Sequence, residues 1–429
     1  MPIFLLSIST CTTRIWYDFS SPVAELDCDV AIVGGGIVGA TLGSALKDSG
    51  LKAIAIEANS LELAVARDRA YALSPLSGQI FQEIGVWSDI FPHIGKYCHI
   101  HLSDGDDPDP VKFQTADLGT EYLGYVGPHQ AILKSLQESI AECENVRWLC
   151  PAKTCGIIYQ ADGAVVEVEV EGQKQHLRTR LVVAADGARS PVRNWAGIKT
   201  IGWKYWQSCV TFVIQHEAPQ NDIAFERFWP DGPMGVLPLP GNRCQIVWTA
   251  PHAKAEALQK LAEDEFLARL EYYTGGLLGK LKLIGDRLLF PVQLFQSQNY
   301  VRSRLALVGD AAHRCHPLGG QGLNLGIRDA AALAQILSTA HQQGEDIGDL
   351  QVLKRYERWR KGENLVILGL TDILDRMFSN SYLPVEIVRR FGLWLLRTMP
   401  PLKILALKLM TGFQGRTPTL RNKQQVVRS

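Results

Sequence analysis

Apolar positions along the chain fall into three kinds of run, and each predicts an element. Asp29-Val30-Ala31-Ile32-Val33 and Ala53-Ile54-Ala55-Ile56 are short continuous runs of the buried-strand type, and a helix, Ala40 to Lys47, fits between them. Together they make a β-α-β start from Asp29 to Glu57. Leu76, Ile80 and Ile84 recur every four residues behind Ser74-Pro75, a good helix opening, and Gly85 is placed to end that helix. Ile132, Leu136 and Ile140 mark one face of a helix from Gln130 to Cys143. Strict alternation over Ala164 to Val170 predicts a half-exposed strand. Residues 97–126 read as strands around a polar turn, Asp104 to Pro110.

Residues 205–250 are rich in strand formers, with two strands meeting at Pro240-Gly241-Asn242. Trp206, Phe212, Phe225, Phe228, Trp229 and Trp248 are expected to be core there. Ala253 to Thr274 reads as helix. Leu305 to Val308 reads as a strand, and Ala330 to Ala340 as a helix. A charged helix, Leu350 to Glu363, precedes an apolar run, Leu365 to Phe378. The stretch 391–413 then mixes apolar residues with Arg397, Lys403 and Lys408, and Pro400-Pro401 splits it. That mixture predicts an interfacial segment, a helical hairpin over the substrate region, or both.

Composition narrows the function classes. Lys+Arg and Asp+Glu both number 44 in 429 residues, so the basic excess expected of a nucleic-acid binder is missing. The nine cysteines are odd in number and contain no C-x-x-C pair, which predicts reduced thiols and a cytoplasmic setting. No apolar run reaches the roughly 18 residues of a spanning helix. Met1 to Ile8 is apolar but has neither a positive flank nor a clear cleavage site. Residues 1–26 are therefore read as a loosely ordered extension, with a short membrane-touching peptide as the alternative.

Three motifs carry chemistry. Gly34, Gly36 and Gly39 have G-x-G-x-x-G spacing between strand and helix, where the second glycine lets backbone approach a pyrophosphate. Glu57, ending the next strand, suits a ribose hydroxyl. The second motif runs from a strand into Asp186-Gly187, with Ser190 and Arg193 at fixed offsets. The third spans 309–329. Gly309 and Asp310 follow a strand, and Gly319, Gly320 and Gly322 open a helix whose bare N–H groups suit an anion. His313, Cys315 and His316 lack zinc-ligand spacing, so no metal is expected. No G-x-S-x-G or H-E-x-x-H is present.

In this order, the three motifs resemble those of the flavin-dependent aromatic-ring monooxygenases. The Arg69-to-Ser74 run, Leu237-Pro238-Leu239 and Met410-Thr-Gly-Phe-Gln-Gly resemble the ubiquinone-biosynthesis hydroxylase branch. The resemblance implies an α/β fold: a Rossmann-like FAD-binding domain with an inserted β-sheet substrate domain and C-terminal helices. The expected division is 27–95, 127–200 and 293–345 for FAD, 96–126 and 201–292 for substrate, and 346–429 for the helical region. It implies FAD contacts from Gly34, Gly36, Gly39, Glu57 and Arg69. Further contacts are implied from Asp186, Gly187, Ser190 and Arg193, in a motif associated with both FAD and NAD(P)H. Asp310 would hold the ribityl chain, and Gly309, Gly320, Gln321, Gly322 and Asn324 would form the turn against the flavin. Pro317 would line the oxygen-transfer side. His129 and Gln130 stand where many members carry an arginine, so neither is expected to be an essential contact.

The implied reaction is NAD(P)H- and O₂-dependent hydroxylation of an electron-rich aromatic ring, a polyprenylated quinone precursor. The alternatives are an epoxidase or hydroxylase of an apolar isoprenoid, and a non-catalytic lipid carrier on a flavoprotein fold. Expected partners are a lipophilic aromatic substrate, a membrane surface met peripherally through 391–413, and a biosynthetic complex.

Overall fold

The described residues form two eight-stranded sheets and a three-stranded one, and residues from both large sheets line the cavity that holds the site. The computed structural model describes residues 27–105, 107, 109–219 and 221–420. The expected extension 1–26 lies outside the described residues, as does 421–429.

Strand Cys28–Val33 lies parallel between Ala53–Ile56 and Gln173–Ala184. Val146–Leu149 and Leu305–Leu307 extend the parallel ladder on either side. The central strands Cys28–Val33, Ala53–Ile56 and Leu305–Leu307 and the end of the long one, Leu181–Ala184, are buried on both faces, which is why they are continuous apolar runs rather than alternating ones. Ala164–Val170 pairs antiparallel with Gln173–Ala184 and alternates as expected. Helix Ile37–Ala45 starts three residues before the predicted Ala40, since the fingerprint glycine Gly36 is itself the N-cap. Helix Gln321–Gln342 begins nine residues before the predicted Ala330. Glycines normally weaken a helix, but here Gly326 is needed for contact: a Cβ there would come 2.6 Å from Val38 Cγ2.

The second sheet is largely antiparallel. Its order is His313–Arg314, Leu281–Ser297, Thr200–His216, Arg243–Pro251, Gly232–Leu239, Ile223–Trp229, His99–Asp104 and Val111–Gln114. The Pro240-Gly241-Asn242 turn joins two of these strands, with Gly241 and Asn242 both at positive φ. Of the expected core aromatics, Phe212, Phe228, Trp229 and Trp248 are buried, whereas Trp206 is exposed. The helix predicted over 253–274 is two, His252–Lys260 and Glu263–Thr274. They break at Leu261-Ala262, where Arg287 takes up the Leu258 and Leu261 carbonyls. Conversely, the charged and apolar runs after 350 form one helix, Leu350–Phe378. The proline pair does split the tail, into Leu383–Thr398 and Pro400–Thr411.

Candidate active site

A cavity of about 710 Å³ lies between the carboxyl ends of the parallel strands and one face of the antiparallel sheet. Gly34, Gly36, Glu57, Arg69, Asp186 and Gly187 line it, and so do Asp310, Pro317, Gly320 and Gly322. The chain thus brings together residues nearly three hundred positions apart.

At one end stands the Gly34–Gly39 turn. Gly34 has φ +110°, and a Cβ there would lie 2.5 Å from the Ala185 carbonyl. A Cβ on Gly39 would lie 1.9 Å from the Gly34 carbonyl, so this glycine permits helix and strand to touch. Gly36 is different. A Cβ there would meet nothing within 4 Å, because it points into the cavity. The Glu57 carboxylate beside it is held by the Gly35 N–H at 2.9 Å and the Asn59 N–H at 3.0 Å.

The Asp-Gly motif divides between cavity and scaffold. Asp186 Oδ2 accepts the Val192 N–H at 3.2 Å, while Oδ1 is buried without a protein partner. Burial pushes this carboxyl above its ordinary range. Ser190 caps helix Pro191–Trp195 by accepting the Arg193 N–H at 2.9 Å. Arg193 donates to the Ala311 and Ala188 carbonyls at 3.0 and 2.9 Å. These two side chains brace one motif against the next and stand outside the cavity lining.

The second glycine turn is held from several directions. Gly319 and Gly320 are left-handed, with φ +64° and +60°. Gly320 is the N-cap of helix Gln321–Gln342, and having no side chain it leaves the first-turn N–H groups uncapped beside the cavity. Gln321 and Asn324, two of the expected contacts, turn their side chains into the scaffold. Gln321 Nε2 donates to the Gly319 and Met410 carbonyls at 3.0 and 3.1 Å. Asn324 accepts from Ser74 N–H and Ser77 Oγ, both at 2.7 Å, and donates to the Ala72 and Gly320 carbonyls, both at 2.9 Å. Asp310 is buried at the cavity wall, where burial raises its carboxyl pKa against the opposing pull of Arg314 and His313. Arg69 lines the cavity with its guanidinium 5.4 Å from the Phe290 ring centre. His129 also lines it, its imidazole bonded to the Ala64 carbonyl at 3.0 Å.

Two features escaped the sequence reading. Asp329 is fully buried and accepts from Gly309 N–H (3.2 Å), His313 Nε2 (2.6 Å), Arg360 Nε (2.8 Å) and Asn364 Nδ2 (3.1 Å). It ties the start of the flavin motif to helix Leu350–Phe378. The other is Glu226, a carboxyl on the cavity face of the antiparallel sheet.

The geometry fits a flavin dinucleotide. Open space at Gly36, the unpartnered Asp186 Oδ1 and the uncapped helix start at Gly320 lie along one cavity, as a phosphate-bearing, polyhydroxylated cofactor requires. Fold and site together define a flavin-dependent monooxygenase. The FAD binding domain model matches residues 27–363. An uncharacterized Synechocystis protein, slr1300, is 53% identical, covering 95% of this chain and 99% of its own. Ubiquinone hydroxylase UbiL of Rhodospirillum rubrum is 36% identical, covering 91% and 90%. Among solved structures, p-nitrophenol 4-monooxygenase PnpA of Pseudomonas putida shares the fold, with TM-score 0.76 and 21% identity over 90% of this chain and 98% of that one. The chain belongs to the FAD-binding aromatic monooxygenases, in the branch that contains the ubiquinone-biosynthesis hydroxylases. It is an oxidoreductase with FAD as its cofactor.

Proposed function

We propose that the protein hydroxylates an electron-rich aromatic ring carrying a polyprenyl tail, with NAD(P)H as reductant and O₂ as oxidant. The observation that carries this reading is the chamber between the Pro317–Gly320 turn and the antiparallel sheet. Its walls are apolar at Pro233, Leu237, Val247 and Phe290, with Thr211, Glu226 and Thr249 set among them. Such a pocket excludes water and grips a ring by its faces. The name of UbiL supports a quinone-type ring.

FAD, when bound, supplies the reductive activation of O₂. The chain's residues bind and orient. The Gly34–Gly39 turn would take the pyrophosphate, Glu57 the ribose, and Asp310 the ribityl hydroxyls. Uncapped N–H groups at the start of helix Gln321–Gln342 would favour negative charge on the reduced ring. Pro317 would shape the side on which oxygen reaches the substrate.

A membrane surface is the second part of the proposal. Leu383, Ile387, Val388, Phe391 and Trp394 are each more than half exposed on one side of helix Leu383–Thr398. Its other side is anchored by Arg389, which donates to Asp104 at 2.9 Å. Of the cations expected to flank the lipid, Arg397 pairs with Asp107 at 2.6 Å and Lys403 with Asp117 at 2.8 Å, so those two face the substrate sheet. No helix among the described residues is long and apolar enough to cross a membrane. The apolar side suits shallow interfacial burial, close to where a prenylated substrate resides.

Purified flavoprotein supplied with NAD(P)H, O₂ and 2-farnesylphenol should yield a product one oxygen heavier, with a new ring hydroxyl by mass spectrometry and NMR. Oxygen recovered only as an epoxide on the prenyl chain, or no substrate-stimulated NAD(P)H oxidation, would overturn the proposal.

A further inference from the structure

Strand Ile223–Trp229 carries one charged residue toward the cavity. Alternation puts Ala224, Glu226 and Phe228 on the same face. Ala224 and Phe228 are buried in an apolar cluster with Leu239, Leu318 and Phe378. Glu226 therefore stands in apolar surroundings, and the surface it retains opens into the cavity. Its cross-strand partners are Gly235 and Leu102, neither of which is polar at the side chain. Gly235 leaves room beside it: a Cβ there would lie 3.6 Å from Glu226 Oε2. No described cation pairs with the carboxyl. The neighbouring Pro317–Gly320 turn approaches it through the Gly319 N–H.

A lone carboxyl in an apolar pocket is expensive unless a ligand gives it a partner. We propose that Glu226 binds the ring hydroxyl of the substrate, accepting its hydrogen bond and taking its proton, so that the ring is held and activated against the Pro317–Gly320 turn. The inference rests on the aromatic-hydroxylase reading above and adds to it the residue of this chain that recognises the ring hydroxyl.

The proton step balances simply. The ring O–H bond breaks, its proton passes to a Glu226 oxygen, and the electron pair stays on the ring oxygen. That pair raises electron density at the ortho and para carbons. O₂ and NAD(P)H supply the oxygen atom and the electrons. After the oxygen enters, the substituted ring carbon loses its hydrogen to water as a proton. The carboxyl then returns its own proton to the ring oxygen, which restores the carboxylate and leaves an aromatic diol.

Burial, opposed by the Gly319 N–H, pushes the Glu226 carboxyl up to about 7, so it exchanges protons in the working range. The ionisable groups lining this part of the cavity are Arg69 on the segment before Ala70–Leu73, and Asp310, Arg314 and Cys315 on the 309–329 segment, while Cys209 on Thr200–His216 lies buried behind the lining within electrostatic reach of Glu226. Cys209 is itself pushed to about 12 by burial, which keeps it a neutral thiol.

The test uses the full-length flavoprotein with 2-farnesylphenol and its O-methyl ether, read by perturbation of the flavin spectrum and by turnover. Wild type should bind the phenol roughly 10- to 100-fold more tightly than the ether. Its kcat/KM for the phenol should rise with pH through about 7. Glu226→Leu should erase the discrimination. Glu226→Gln, nearly isosteric, should lose the pH-dependent limb and most of kcat while keeping bound flavin and its melting temperature. If Glu226→Gln hydroxylates the phenol with an unchanged pH profile, or Glu226→Leu still discriminates, the inference is wrong while the aromatic-hydroxylase reading stands. If wild type turns over neither compound, both fall.

Discussion

The two glycine turns that flank the cavity do similar work by different means. The Gly34–Gly39 turn is made within one β-α-β unit. Its contacts are the Gly34 carbonyl and the Glu57 side chain from that unit, with the Ala185 carbonyl as the one backbone contact from a distant strand end. The Gly319–Gly322 turn adds remote props to its local bonds from Gln321 and Asn324. A Cβ on Gly320 would lie 2.6 Å from Ala72 Cβ, and one on Gly319 would collide with the Met410 methyl. Asn324, Gln321 and the Asp329–Arg360–Asn364 network complete its hold. A turn shaped by local sequence tolerates change elsewhere in the chain. A turn held by distant elements transmits their loss to the cofactor.

The largest break in that comparison should come from Asp329→Ala. It leaves the Arg360 guanidinium buried without its carboxylate and frees Gly309 N–H, so a loss of about 3–5 kcal/mol is expected by chemical denaturation, with loss of flavin. The pH dependence has a definite sign. Burial raises the Asp329 carboxyl, but the charges of His313 and Arg360 outweigh it and hold the group at about 2, below its ordinary 3.8. The stabilisation is therefore full above the ordinary value and fades as pH falls from there toward about 2. Wild type should weaken in that window, and Asp329→Ala should lack this component. An unchanged stability in the variant would mean that the network does not support the turn.

Gly36→Val sharpens the contrast from the other side. The new side chain meets no protein atom, so the melting temperature measured without added FAD should stay within about 2 °C of wild type, while the purified protein emerges colourless. A yellow variant would remove the pyrophosphate from this turn. The smallest effect is expected from Met410→Ala, which withdraws one remote prop from Gly319. Flavin titration should show a loss of about 1–2 kcal/mol in binding, with little change in the Gly34 end. No loss at all would make the tail a passive cover.

This difference also explains what the sequence made legible. The first turn, Glu57, Asp186 and Asp310 are where motif spacing places them, because those motifs encode backbone geometry within one strand-turn-helix unit. The proline break at 400 and the turn at Gly241-Asn242 are likewise local. Asp329 lay inside the quoted motif, yet its role depends on Arg360 and Asn364, on the next helix in sequence. Glu226 carries no signal of its own in the sequence, standing between the aromatic residues Phe225 and Phe228 with no motif around it. Only the packing of helix Leu350–Phe378 and the 318–320 turn onto that face turns a surface-type charge into a cavity group. Gln321 and Asn324 matched the motif by position, but their side chains serve the scaffold, which spacing cannot distinguish from contact.

Met410 also imposes an order in time. Some 225 residues separate it from Ala185, the distant strand-end contact of the Gly34–Gly39 turn, and a ribosome adding about 5–20 residues per second needs roughly 11–45 s to make that stretch. Throughout that interval the pyrophosphate turn can be complete while its counterpart lacks a prop. Nascent chains would then grip the nucleotide end of the cofactor well before they can clasp its ring, and a ribosome stalled before codon 410 would release a protein that holds flavin by one hand.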